Sequence, residues 1–191
     1  MDLKSHRREP GGFLPESYFK TRYETLRKPL GFPMSAAYLP DDDESLHAWV
    51  EYEGIVGSVG RAHLIPDDSG GGGADTADEG AADCPDFTPL LATGEIDAYG
   101  NPLPNPESLR PAIQIRQMGT LDDMRRRGMG SLVLSELEEG AVEVWGAKAG
   151  FLQARLPAIS FYESTGWIRF GDEYDVPGIG LHISMWKRLG E

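Results

Sequence analysis

Arg125, Arg126 and Arg127 stand against Gly128 and Gly130 in the stretch MRRRGMGS, within a chain of 191 residues whose formal net charge is −13. A strand-like run, AIQIRQMGT (112–120), precedes them, and an amphipathic run, GMGSLVLSELEEGAVEVWGA, follows. A strand, a glycine-rich turn and a helix start together make an anion site. The first N–H groups of a helix have no intrahelical acceptor and carry the positive end of its dipole. Glycine lets a ligand oxygen approach the backbone, and arginine adds a planar fork of donors suited to phosphate. Such contacts act locally, because salt screens the chain's acidic field beyond about 8–10 Å. Two familiar phosphate loops do not fit. No lysine follows Gly130, as a Walker loop requires, and Val133 stands where a dinucleotide fingerprint needs glycine. A solvated basic turn ahead of an amphipathic helix is the other reading of these residues.

The elements that must position this turn follow from pattern. Residues 15–28 read as a helix, with Tyr18, Phe19, Tyr23, Leu26 and Leu30 at helical spacing. Residues 47–65 read as a hairpin around Glu53-Gly54. Pro66 to Asp86 holds no large apolar residue, and about residues 66–110 are expected to form a flexible low-complexity insertion. Its tetraglycine reads as linker, because no helix-forming stretch follows. After the strand at 112–120 comes a helix whose apolar face is Val133/Leu134, Leu137, Ala141 and Val144/Trp145. GFLQAR is a short strand. PAISFYEST is a helix opened by Pro157 and closed by Gly166. Two last strands flank Pro177-Gly178. The order helix, hairpin, insertion, strand, helix, strand, helix, strand pair predicts one α/β domain over 1–191 with a mixed sheet.

Composition excludes several classes. No run approaches the ~20 apolar residues of a membrane span, and the basic N-terminus has no apolar segment after it, so no membrane partner and a cytoplasmic location are expected. Cys84 is the single cysteine, which rules out an internal disulfide. With 31 Asp and Glu against 18 Lys and Arg, a nucleic-acid partner is not expected; the acidity reads either as a field that favours a cationic partner or as a charge that simply keeps the protein soluble. The acidic run at 41–44 reads either as an attractor for such a substrate or as a solvated loop. The four histidines lack ligand spacing, so no metal is expected.

Arg125-x-x-Gly128-x-Gly130 after a strand ending QMGT resembles the Q/R-x-x-G-x-G/A acetyl-CoA motif of the GNAT-type N-acetyltransferases. ARLPAISFYESTGW (154–167) resembles that superfamily's A-x-x-F-Y-x-x-x-G-F signature, with Trp167 in place of the usual Phe. The tail GDEYDVPGIGLHISM and the helix RYETLRKPLG look like those of small bacterial members. The resemblance covers nearly the whole chain outside 66–110. It implies a mixed, mostly antiparallel sheet with splayed fourth and fifth strands flanked by helices. It also implies acetyl-CoA as cosubstrate and direct transfer to an amine, with room for a homodimer. Backbone amides of Arg126, Arg127, Gly128, Met129, Gly130 and Ser131, with Arg125 ahead of them, would hold the pyrophosphate. Met118, Gly119 and Thr120 would pair with the pantetheine arm. Arg155 stands where many relatives carry Asn facing the cofactor. Tyr162 matches the tyrosine that protonates the departing thiolate.

An amine with pKa near 10 is only about 0.1–1% neutral near pH 7.5, so a base or a water relay must take its proton. Many relatives carry a Glu on the fourth strand. Gln114, Arg116 and Gln117 stand there in this chain, leaving His63, His182, Glu173 and Asp122 as candidates. The missing Glu keeps a second reading open, a non-catalytic acyl-CoA-binding or protein-interaction module on the same fold.

Overall fold

The computed structural model describes residues 2–72, 84, 85, 87 and 109–190. Seven strands form one sheet in the order β1-β2-β3-β4-β5-β7-β6. The pairs β1/β2, β2/β3, β5/β7 and β6/β7 are antiparallel, and β4/β5 is parallel. This is the mixed, mostly antiparallel α/β architecture that the motifs imply. The chain divides into two compact units, 1–63 with 115–144 and 64–114 with 145–191.

In the first unit, β1 (Leu3–Arg8) is an edge strand that sequence pattern does not reveal. LKSHRR has no apolar alternation, so the period that betrays a half-buried strand is missing. Its backbone pairs with β2 from Leu3↔Tyr52 to Arg8↔His47, and His6 stacks on Trp49 at 5.2 Å. Helix α1 (Glu16–Arg22) runs on through a π-type turn, Tyr23–Arg27, and a tight turn, Lys28–Leu30. β2 (Leu46–Tyr52) and β3 (Ile55–Ile65) form the expected hairpin. Its two turn residues, Glu53 and Gly54, have φ of 52° and 78°, as a two-residue turn matching the strand twist requires. β4 (Ala112–Thr120) leads to α2 (Met129–Trp145), whose Met129, Val133, Leu134, Leu137 and Ala141 are buried. A Cβ on Gly60 would overlap the Met118 sulfur and Val133, so β3 lies against these side chains only because glycine is there.

A buried ionic network holds this unit together. Arg22 and Arg61 are fully buried, with Asp42 at 7% exposure, and Asp42 accepts from Arg22 Nη1 at 2.8 Å and from Arg61 Nη1 at 3.3 Å. The acidic run 41–44 is therefore not only a solvated loop. Asp41 and Asp42 face inward to these arginines, and Asp43 reaches the Arg8 side chain at 3.2 Å.

The second unit carries β5 (Ala149–Arg155), α3 (Ile159–Ser164), β6 (Ile168–Val176) and β7 (Gly180–Arg188). Gly166 has φ 89° directly after α3, the left-handed helix stop expected from its position. β4 pairs with β5 over Ala112–Gln114 against Ala149–Phe151. One face of β5 builds a core of Ile65, Phe87, Leu109, Ala112, Ala149, Phe151 and Phe170. The expected insertion thus enters this core at its edges: Phe87 is fully buried, stacked on Phe151 at 5.0 Å, and its N–H donates to Gly70 O at 2.8 Å. Residues 73–83, 86 and 88–108, on which the rest of that expectation falls, lie outside the described residues.

Candidate active site

The arginine-glycine turn is built by the end of β4 and the start of α2. Gln117, in the middle of β4, has φ 53°, a conformation that costs a side-chain-bearing residue about 1–2 kcal/mol. Beyond this irregularity Ser58 secures the strand end: its hydroxyl lies 3.2 Å from Gly119 O and 2.8 Å from Thr120 Oγ1. The Leu121 N–H donates to Gly57 O at 2.9 Å, and a tight turn, Asp122–Met124, follows. Met124 is buried and anchors the turn.

From there the backbone alternates. Arg125 is extended (φ −63°, ψ 159°), Arg126 is left-handed at φ 61°, and Gly128 is left-handed at φ 80°. Arg125 and Arg126 have the φ values of a type II turn, and Gly128 takes the left-handed conformation just ahead of α2. Leu132 N–H is the first to bond back, to Gly128 O at 3.1 Å. Among the described residues no acceptor meets the N–H groups of Arg126 to Ser131. Gly128 has open space where a Cβ would stand.

The three arginine side chains are not equivalent. Arg125 pairs with Asp122 at 2.8 Å. Arg127 lies over the Tyr52 ring at 5.3 Å and donates to Asp123 O at 3.4 Å. Arg126 is exposed and has no partner among the described residues. Sequence alone treats the three alike; only the fold commits two of them.

Tyr162, Arg155, Glu173 and His182 lie in the second unit, and His63 and Asp122 in the first. Tyr162, on α3, is buried, and desolvation pushes its phenol above the ordinary tyrosine value, so it keeps its proton at every pH of interest. Its ring lies 6.2 Å from that of Trp167. Arg155 ends β5 directly opposite His182 of β7. Of the four base candidates, Asp122 is committed to Arg125 and Glu173 is an exposed residue where the β6/β7 register shifts. His63 is a partly buried residue of β3. His182 is buried, with Nδ1 2.6 Å from Gly180 O. A carbonyl only accepts, so Nδ1 carries the proton and Nε2 keeps its lone pair.

What sequence reasoning missed is a row across three strands: Tyr174 opposes His182 and His182 opposes Arg155. Counting outward from a two-residue Pro177-Gly178 turn sets Tyr174 against Leu181; the loop takes in Ile179 as well, and that one-residue shift brings Tyr174 to His182. Cys84, for which sequence offers no partner, lies within electrostatic range of Tyr174. No cluster of metal-ligating side chains occurs among the described residues, and no described helix is long and apolar enough to cross a membrane.

No family model matches the chain. YitI of Bacillus subtilis (strain 168), named as an uncharacterized N-acetyltransferase, is 36% identical over 100 residues, a match spanning 52% of this chain and 64% of that protein. Escherichia coli ElaA superposes with a TM-score of 0.60 at 15% identity, over 97% of this chain and 99% of that one. An acyl-CoA N-acyltransferase from Pseudomonas aeruginosa gives 0.56 at 14% identity, over 97% and 99%.

Proposed function

We propose that this chain, whose fold is that of the GNAT-type N-acetyltransferases, transfers an acetyl group from acetyl-CoA directly to a primary amine. The observation that carries the reading is the run of unpartnered N–H groups from Arg126 to Ser131, flanked by the uncommitted Arg126 side chain. Six backbone donors and a free guanidinium at a helix start match a pyrophosphate, not a neutral ligand. The curated N-acetyltransferase relative and the acyl-CoA N-acyltransferase fold likeness support acyl-CoA as the ligand of that turn.

In this reading Met118, Gly119 and Thr120 pair with the pantetheine arm through their backbone, and Arg155 is a further cosubstrate contact. The neutral amine attacks the thioester carbonyl, the oxyanion is held by backbone N–H groups of β4, and the C–S bond breaks. Tyr162 supplies the proton that turns the thiolate into a better leaving group. The acceptor is an amine drawn by the chain's negative field. The protein works in the cytoplasm.

Two measurements test this together. CoA should raise the melting temperature, and acetyl-CoA should release free thiol when an amine from a panel of small amines, polyamines and peptides is added. Absence of any melting shift at millimolar CoA would remove the cradle and the function with it.

A further inference from the structure

Within the second unit the two faces of the sheet carry different chemistry. On β5, Ala149 and Phe151 face the Phe87 core, whereas Gly150 packs against Trp167, the neighbour of Tyr162. Alternation places Gln153 and Arg155 with Ala149 and Phe151. Directly opposed residues of paired strands share a face. Arg155, His182 and Tyr174 therefore line up on the face away from Trp167. Gln153 on the same face donates to Gly72 O and Pro85 O, each at 3.2 Å, and so holds the two edges of the insertion beside this row.

His182 is built as a base in this row. Its exposure is 7%, its ring stacks on Tyr174 at 6.0 Å and 21°, and the Nδ1 contact to Gly180 O fixes the tautomer. No described residue occupies Nε2. Tyr174 from β6 and Arg155 from β5 share its face; Arg155 and Asp175 act on it electrostatically, and Cys84 acts on Tyr174. Burial lowers the imidazole below its ordinary value; the Gly180 contact opposes this, Arg155 adds to it and Asp175 opposes it.

We propose that His182 Nε2 takes the proton from the acceptor ammonium, which puts the stacked His182–Tyr174 pair on the acceptor side of the reaction, next to Arg155 at the cosubstrate. This rests on the acyltransferase reading above. The ammonium N–H proton passes to Nε2, and the freed amine forms the N–C bond to the thioester carbonyl. The C–S bond then breaks and the thiolate takes a proton from Tyr162. The second amine proton returns to Tyr162 through solvent, and the imidazolium releases its proton to water. The proton of the nucleophile and that of the leaving group are thus handled from opposite faces of the sheet.

The test is His182→Asn, whose amide nitrogen can keep the bond to Gly180 O but cannot accept a proton. The best amine of the panel and hydroxylamine, which is neutral at pH 7.5, are compared as acceptors. The expected result is a fall of about 10²-fold in kcat/KM for the protonated amine and less than about threefold for hydroxylamine, with unchanged CoA affinity. The wild-type kcat/KM should rise with pH through an inflection below the ordinary imidazole value. In His182→Asn it should instead follow the fraction of neutral amine. Equal losses with both acceptors, or an unaltered pH profile, would overturn the proposal. If the variant does not fold, NMR titration of the His182 C2 proton in the wild type replaces it. Coincidence with the kinetic inflection supports the assignment and divergence overturns it. Failure of wild type to bind CoA would instead strike the acyltransferase reading itself.

Discussion

Arg22 Nη1 lies 2.8 Å from Asp42 Oδ2, with the arginine side chain wholly buried. The carboxylate also accepts from Arg61 Nη1 and from the Leu39 N–H at 2.9 Å. Removing one partner of a buried pair leaves a charge with neither water nor counter-ion, which costs about 3–5 kcal/mol. Asp42→Ala should lower the free energy of unfolding by that amount in urea titrations. The exposed pair Lys28–Glu24, at 2.7 Å, should give an unchanged urea midpoint in Glu24→Gln.

His47 stands at the centre of the same network. Its Nε2 donates to Asp42 O at 2.8 Å and its Nδ1 faces the Tyr18 hydroxyl at 2.9 Å. Burial above all lowers its pKa to about 3. The unfolded chain, with an ordinary value near 6.5, then binds a proton that the native state refuses. Stability is full above about pH 6.5 and falls by about 1.4 kcal/mol per pH unit below it, or about 2 kcal/mol by pH 5. Melting curves from pH 5 to 8 should show this slope, and His47→Asn should flatten it.

Arg126 is the one arginine of the turn not already committed. Arg126→Ala should weaken CoA binding about tenfold, roughly the loss of one charge-assisted hydrogen bond. Arg125→Ala and Arg127→Ala should cost less, since their charges are shared with Asp122 and with Tyr52 and Asp123 O. Gly128→Glu should abolish binding, because it places a negative side chain at φ 80° in the open space at the helix start. With CoA at one hundred times Kd, wild type should gain about 2.7 kcal/mol. Calorimetric titration of the four variants would show whether Arg126 ranks first among the three arginines.

Tyr162→Phe keeps the ring against Trp167 and removes only the hydroxyl. The expected outcome is a fall in kcat of about 10²-fold with CoA affinity changed less than threefold. Equal losses in both would make Tyr162 a cosubstrate contact instead of a proton donor.

Phe87 tests how far the insertion belongs to the fold. Fully buried between Phe151 and Phe170, it should cost about 3–5 kcal/mol when replaced by alanine. A change below about 1 kcal/mol would mean that the segment contributes nothing to the core.

Local pattern was enough for every element whose signal is local. Glu53-Gly54 announces its hairpin, Pro157 and Gly166 bracket α3, and the Gly128–Gly130 turn marks the start of α2, because turn and cap conformations are dictated by one or two residues. β1 escaped, since an edge strand held by backbone pairing needs no apolar period. So did the inward turn of Asp42, which reads as a solvated acid until Arg22 and Arg61 arrive from α1 and β3. The motif also placed Arg125, Arg126 and Arg127 at the turn without ranking them. Which arginine is free, and which histidine shares a face with Arg155, depend on strand register and on partners far away in sequence. Those are properties of non-local pairing, and only the folded sheet decides them.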